Sequence, residues 1–183
     1  MGKRPLFNSV GAVVLLLLAL IPVLLMSLTG RERKTDFDRA FAEACGGTYE
    51  CSEIADVQKA KAGGASVQAA YTAAKDGQIQ VYVAELRVHA GADGTFSVLV
   101  GINRFSLTVT GISVLSDSVS DTDGALLLLA DGSYLARFRG GRRTDAGQIS
   151  DRTGAEAASR ELRHAVSLAF DLAEALKESE EHI

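Results

Sequence analysis

FSVLVGINRFSLTV, residues 96–109, is the stretch that decides the fold. Phe96, Val98, Val100 and Ile102 fall at every second position, the period of a strand with one buried face. After Asn103-Arg104 the apolar set moves to Phe105, Leu107 and Val109, on the opposite parity. A two-residue hairpin turn at Asn103-Arg104 accounts for the change. It would pair Ile102 with Phe105, Val100 with Leu107 and Val98 with Val109, so that register and burial agree.

Strand character extends both ways from this hairpin. Upstream, Ile79, Val81 and Val83 alternate with polar residues, and then Leu86 and Val88 take over on the other parity. A β-bulge near Ala84-Glu85 would explain that slip. Downstream, Ile112–Leu115 continues the second strand. Ala125–Ala130 and Ser133–Arg139 flank Asp131-Gly132, a strong short hairpin signal that would pair Leu129 with Tyr134 and Leu127 with Ala136.

Helical spacing surrounds the strands. Asp36–Ala44 places Phe37, Ala40, Phe41 and Ala44 on one face, and Gly46-Gly47 stops it. Ser52 can cap a helix over Glu53–Lys61, and Ser66–Lys75 carries Val67, Ala70, Tyr71 and Ala74 at helical spacing. Thr153-Gly154-Ala155-Glu156 fits a capping box. It opens a helix over about Gly154–Glu178 with a stripe of Ala158, Leu162, Ala165, Val166, Ala169, Leu172, Ala173 and Leu176. The expected fold class is α+β: an N-terminal transmembrane helix, short helices, an antiparallel meander of about five strands, and a long C-terminal helix packed across one sheet face.

The membrane assignment rests on Val10–Leu28, VGAVVLLLLALIPVLLMSL, which carries no charge. As a helix it would be about 28 Å long, close to the thickness of a bilayer's hydrocarbon core. The run is apolar all round and its end, Ser27-Leu28-Thr29-Gly30, is a poor cleavage site, so it reads as an uncleaved signal anchor. The chain then divides into a tail (1–9), the anchor (10–28), a connector (29–35) and one globular domain (36–183). Arg31, Arg33, Lys34 and Arg39 after the span slightly favour a cytoplasmic C-terminal flank. The short basic tail, with Lys3 and Arg4, and the Cys pair argue the other way, and an extracytoplasmic domain is the expectation.

Residues 35–183 carry a net charge of −8, which excludes a general nucleic-acid binder. Cys45 and Cys51 bracket Gly-Gly-Thr-Tyr-Glu and are spaced for a small disulfide loop; the alternative is two free thiols. Arg137, Arg139, Arg142 and Arg143 put four guanidiniums in seven residues. They form a candidate anion site for a phosphate, a lipid headgroup or an acidic partner, or else a solvated strand end paired with local acids. Asp121-x-Asp123-Gly124 overlaps part of a calcium loop, but Val119 and Ala130 stand where acids would be needed. His89, His164 and His182 show no metal-ligand spacing. No nucleotide-loop or nucleophile-elbow pattern occurs, and no cofactor is implied.

The function expected from these residues is a non-enzymatic, single-pass membrane protein whose domain binds something at the membrane surface as an accessory or assembly subunit, a protein in the membrane or envelope being one candidate partner. A cytoplasm-facing, anionic-lipid-binding domain of pleckstrin-homology-like layout is the first alternative. An enzyme with an unfamiliar site is the second.

Overall fold

In the computed structural model residues 36–55, 57, 60–115 and 123–181 are described. The Val10–Leu28 span, with its tail and connector, lies outside those residues, as does the acidic loop at 116–122. Among the described residues no helix is long and apolar enough to cross a membrane.

Residues 36–45 form α1, with Ala40, Phe41 and Ala44 buried as the spacing predicts. Gly46 ends it at φ +73. The Gly47 N–H reaches back to the Ala42 carbonyl (2.9 Å) and the Gly46 N–H to that of Glu43 (3.2 Å), which is a Schellman closure. The strands are β1 (Glu50–Glu53), β2 (Lys61–Ala62), β3 (Ala65–Lys75), β4 (Gln78–His89), β5 (Thr95–Asn103) and β6 (Val109–Leu115). They make one antiparallel sheet of order β1-β3-β4-β5-β6, with β2 also on β3. Four further helices follow: α2 (Asp123–Ala130), α3 (Gly132–Ala136), α4 (Arg143–Gly147) and α5 (Glu156–Glu181). The class is α+β with an antiparallel sheet and a long helix after it. Among the described residues the sheet has six strands, and several elements change type.

Ser66–Lys75 is a strand, not a helix, and Glu53–Lys61 divides into the end of β1, a connector and the start of β2. The alanines explain the first reversal. Ala70 and Ala73 are fully buried in the sheet, where a small side chain lets covering elements approach closely. Burial overrode their helix propensity. The expected Ala125–Arg139 hairpin is instead the helices α2 and α3. Its ALLLLA run contains no β-branched residue, and Asp131 acts as the N-cap of α3, accepting the Tyr134 N–H at 3.0 Å. The expected two-residue turn at Asn103-Arg104 is longer. Asn103 Oδ1 accepts the N–H groups of Phe105 (3.0 Å) and Ser106 (2.9 Å), and the register becomes Ile102↔Val109, Val100↔Ile112 and Val98↔Val114.

The parity slip in β4 is not a bulge at Ala84-Glu85; it marks a strand buried on both faces. Tyr82, Ala84, Leu86 and Val88 join the main core, while Val81 and Val83 are buried on the opposite face. The bulges lie elsewhere, leaving Gln68 and Gln80 without partners in the β3–β4 register. On the core face, α5 lays down Ala158, Leu162, Ala165, Val166, Ala169 and Ala173, each at most 2% exposed. This stripe is as the sequence predicts, but the helix runs three residues further, to Glu181.

Candidate binding groove

The second face of the sheet is occupied by the end of α1, and two glycines make that possible. Gly101 and Gly111 are cross-strand partners. A Cβ on Gly101 would stand 2.3 Å from the Ala44 carbonyl, and one on Gly111 would stand 2.5 Å from that of Glu43. With that space open, the Thr110 hydroxyl donates to the Ala44 carbonyl (2.6 Å) and the Ser113 hydroxyl to Glu43 Oε2 (2.7 Å). Phe41 meets Tyr71 edge-on at 6.2 Å. The seat of α1 therefore lies on β5 and β6, the last strands of the sheet.

β6 is an edge strand. Its first residue is paired on the free side by the chain itself: the Val109 N–H donates to the Gly141 carbonyl (3.0 Å), and the Gly140 N–H donates to the Val109 carbonyl (2.8 Å). Arg139 Nε donates to the Thr110 carbonyl at 3.1 Å. From Gly111 onward, β6 borders a groove of about 600 Å³ between α1 on one side and α2 with α3 on the other. Ile112 and Val114 share the core face with Val100 and Val98, yet stay half-buried, as do Leu129 and Leu135 across the groove. Among the described residues the core is open at this edge. Arg39 and Glu43 line the α1 side and Arg139 one end. Leu126 and Leu127 of α2 are exposed, at 46% and 39%. The far wall is held by Asp131, whose carboxyl takes hydrogen bonds from Ser133 and the Tyr134 N–H and an ion pair from Arg152 at 2.7 Å; these hold it below the usual carboxylate range.

The four arginines of the run make separate contacts. Arg137 donates to Ser150 (3.2 Å) and lies over the Tyr134 ring at 5.5 Å. Arg139 turns to β6. The Arg142 N–H donates to Asp145 (2.8 Å) at the start of α4. Arg143 pairs with Asp171 and with Glu174 (3.5 Å) on α5. The run is a turn and a short helix rather than a strand end, so Arg137 and Arg139 do not share a strand face.

The expected Cys45–Cys51 disulfide is not formed; both are free thiols. Cys45 is buried at the end of α1, whereas Cys51 is exposed on edge strand β1. Burial pushes the Cys45 thiol up to about 12, with Cys51 adding to it, and burial beside Asp38 and Glu53 also raises Cys51. Neither is an activated thiolate. A maleimide is expected to label Cys51 in the folded chain and Cys45 on unfolding. Equal rates at both would mean that α1 is not seated.

His89 Nδ1 bonds Thr95 Oγ1 (2.9 Å). His164 Nδ1 lies 3.0 Å from Glu161 Oε2, which also accepts the Gly64 N–H at 2.7 Å and so clamps the β2–β3 turn to α5. His182 and Asp121 lie outside the described residues. Among those described, no group of three or more His, Cys, Asp or Glu could hold a metal. Burial alone would raise the Glu161 carboxyl, but Gly64 and His164 together hold it below the usual range. A depressed carboxyl stabilises the fold above its unfolded pKa, and that contribution is lost as pH falls through its folded pKa. Glu161→Gln is accordingly expected to cost about 1 kcal/mol at neutral pH. The gap from the parent should close as pH falls below the ordinary glutamate range; melts compared across pH check this, and a pH-independent gap would refute it.

Sequence reasoning missed the groove, because an edge strand and an uncovered core end are properties of the assembled sheet. The signal that could have pointed to it is the glycine pair inside two apolar strands, which marks close approach of another backbone. No protein-family model matches the chain, and no curated protein matches it by sequence.

Proposed function

We propose that the chain is a single-pass membrane protein whose domain binds a protein partner at the membrane surface, as an accessory or assembly subunit rather than an enzyme. The observation that carries this reading is the groove along β6, where apolar side chains stay half-buried beside the last strand of the sheet. The tether is the apolar run at Val10–Leu28. The short basic tail before it supports an extracytoplasmic domain; the unbonded cysteines add nothing to that orientation. For the lipid-binding alternative, Arg143 of the arginine run is already engaged by two carboxylates of α5.

The test is site-specific photocrosslinking in living cells. A photoreactive residue replacing Leu135, in the groove, is expected to give a discrete adduct that the same residue at Lys75, on the β3–β4 turn, does not. Adducts from neither position, or turnover of a substrate by the purified chain, would overturn the reading. Orientation is read from Cys51: labelling by an impermeant maleimide in intact cells is expected for an outside domain, and labelling only after permeabilisation would reverse it.

A further inference from the structure

Four Asp-Gly pairs occur in the chain, with aspartates at 76, 93, 123 and 131. Glycine puts no side chain beside its nitrogen, so that nitrogen can approach the carboxyl of the preceding aspartate. The fold treats the four pairs differently. Asp93 Oδ2 accepts the Ala158 N–H at 2.9 Å, and the Gly94 N–H donates to the Gly91 carbonyl at 3.1 Å. Asp131 takes the Tyr134 N–H at 3.0 Å and the Arg152 ion pair at 2.7 Å. Asp123 opens α2, and its side chain lies outside the described residues.

Asp76-Gly77 is held by nothing comparable. The pair forms the whole β3–β4 turn, between the strand partners Lys75 and Gln78. Both residues stand at positive φ, +53 and +75, as a tight hairpin turn of this hand requires. Aspartate tolerates that region better than most side chains, but the region is sparsely populated by any residue except glycine. Residues 75–78 are all exposed, and a Cβ on Gly77 would meet nothing within 4 Å. Among the described residues neither the Asp76 carboxyl nor the Gly77 N–H has a hydrogen-bond partner.

We infer that Asp76 is a site of spontaneous main-chain isomerisation, by cyclisation with Gly77. The Gly77 nitrogen attacks the side-chain carboxyl carbon of Asp76 and gives up its proton. One carboxyl oxygen leaves as water, and a five-membered succinimide ring closes. Water then opens the ring at either carbonyl. Opening at the side-chain carbonyl restores aspartate. Opening at the main-chain carbonyl leaves the chain running through the side chain, as isoaspartate. Nothing is oxidised or reduced, and water is both the leaving group and the co-reactant. Isoaspartate lengthens the main chain by one methylene at the tip of β3 and β4, strands of 11 and 12 residues whose two-residue turn has no spare residue to absorb it. The site stands apart from the groove and does not rest on the binding reading.

The test ages the full chain in detergent micelles at neutral pH, in water enriched in the heavy oxygen isotope. Each ring opening fixes one heavy oxygen at the residue that reacted. Fragmentation mass spectrometry then locates the label and distinguishes isoaspartate from aspartate. In the folded chain both are expected at residue 76 at least about tenfold faster than at 93 or 131, whose carboxyls must first give up their partners. In urea the three rates should come within about threefold of one another, since the local sequence is then all that differs. Asp76→Glu, which cannot close the five-membered ring, should remove the signal at 76 and leave the other sites unchanged. Asp76→Asn should convert to aspartate and isoaspartate with loss of ammonia through the same ring. Equal rates at the three sites in the folded chain, faster reaction at Asp131, no label at 76, or a signal that survives Asp76→Glu would each overturn the proposal.

Discussion

Gly101→Val is expected to destabilise the chain by about 3 kcal/mol or more and to lift α1 from the sheet. The atoms that a Cβ at Gly101 would meet are the Ala44 carbonyl oxygen and the Thr110 hydroxyl, both at 2.3 Å. The first is backbone, so no rotamer change relieves it, and either the helix or the strand must move. Two further observables separate this outcome from general loss of stability. Cys45, buried under α1, should become reactive to maleimide under native conditions, while Cys51 should react as before. Gly147→Ala, at an open position within α4, should leave stability within about 1 kcal/mol. Protection of Cys45 in folded Gly101→Val would mean that α1 is not held at this glycine pair.

The second large effect is expected at Asp93. Its Oδ2 accepts the N–H of Ala158 at 2.9 Å, across 65 residues of sequence. Ala158 lies in the first turn of α5, whose opening N–H groups have no partner within the helix. A carboxylate there satisfies one donor and complements the helix dipole. Gly124 of α2 also packs on the same side chain: a Cβ at 124 would stand 2.5 Å from the Asp93 carboxyl carbon. Asp93→Ala should therefore cost about 2 kcal/mol, summing a lost cap and an unpaired, part-buried donor. That corresponds to a fall in Tm of about 4–8 °C for a chain of this size. Asp93→Asn should recover about half, since it keeps the acceptor and loses the charge. An unchanged Tm in Asp93→Ala would show that Thr153 or Glu156 caps α5 instead.

The contrast between these two sites explains what could be read from the sequence. The stripe of α5 was legible because a long helix against one face repeats its period many times. The strand character of residues 78–102 was legible for the same reason at period two. Residues 65–75 misled because alanine spaced at three and four fits a helix equally well, and only the elements covering both faces decide for a strand. Residues 125–139 misled because Asp-Gly serves as a hairpin turn or as a helix cap, and the Leu run on its own carries no period. Asn103 misled because its side chain builds the turn that a shorter backbone turn would otherwise make. Of the candidate site, the arginines were visible as a cluster in sequence but not as separate contacts in space. The Asp93 cap joins residues far apart, and no local pattern encodes it.

The order of elements has a consequence during synthesis. From β3 onward each strand pairs with its predecessor, so the sheet can assemble by successive hairpins, each within about 1–10 μs. The helix that closes its apolar face is translated after all of them. At about 5–20 residues per second, the 26 residues of α5 take about 1–5 seconds to make. For that interval Tyr82, Leu86, Phe96, Val98 and Val100 line an uncovered surface on an already paired sheet. The nascent chain is therefore a natural client for a holding chaperone, and ribosomes stalled within α5 should display it in its most aggregation-prone form.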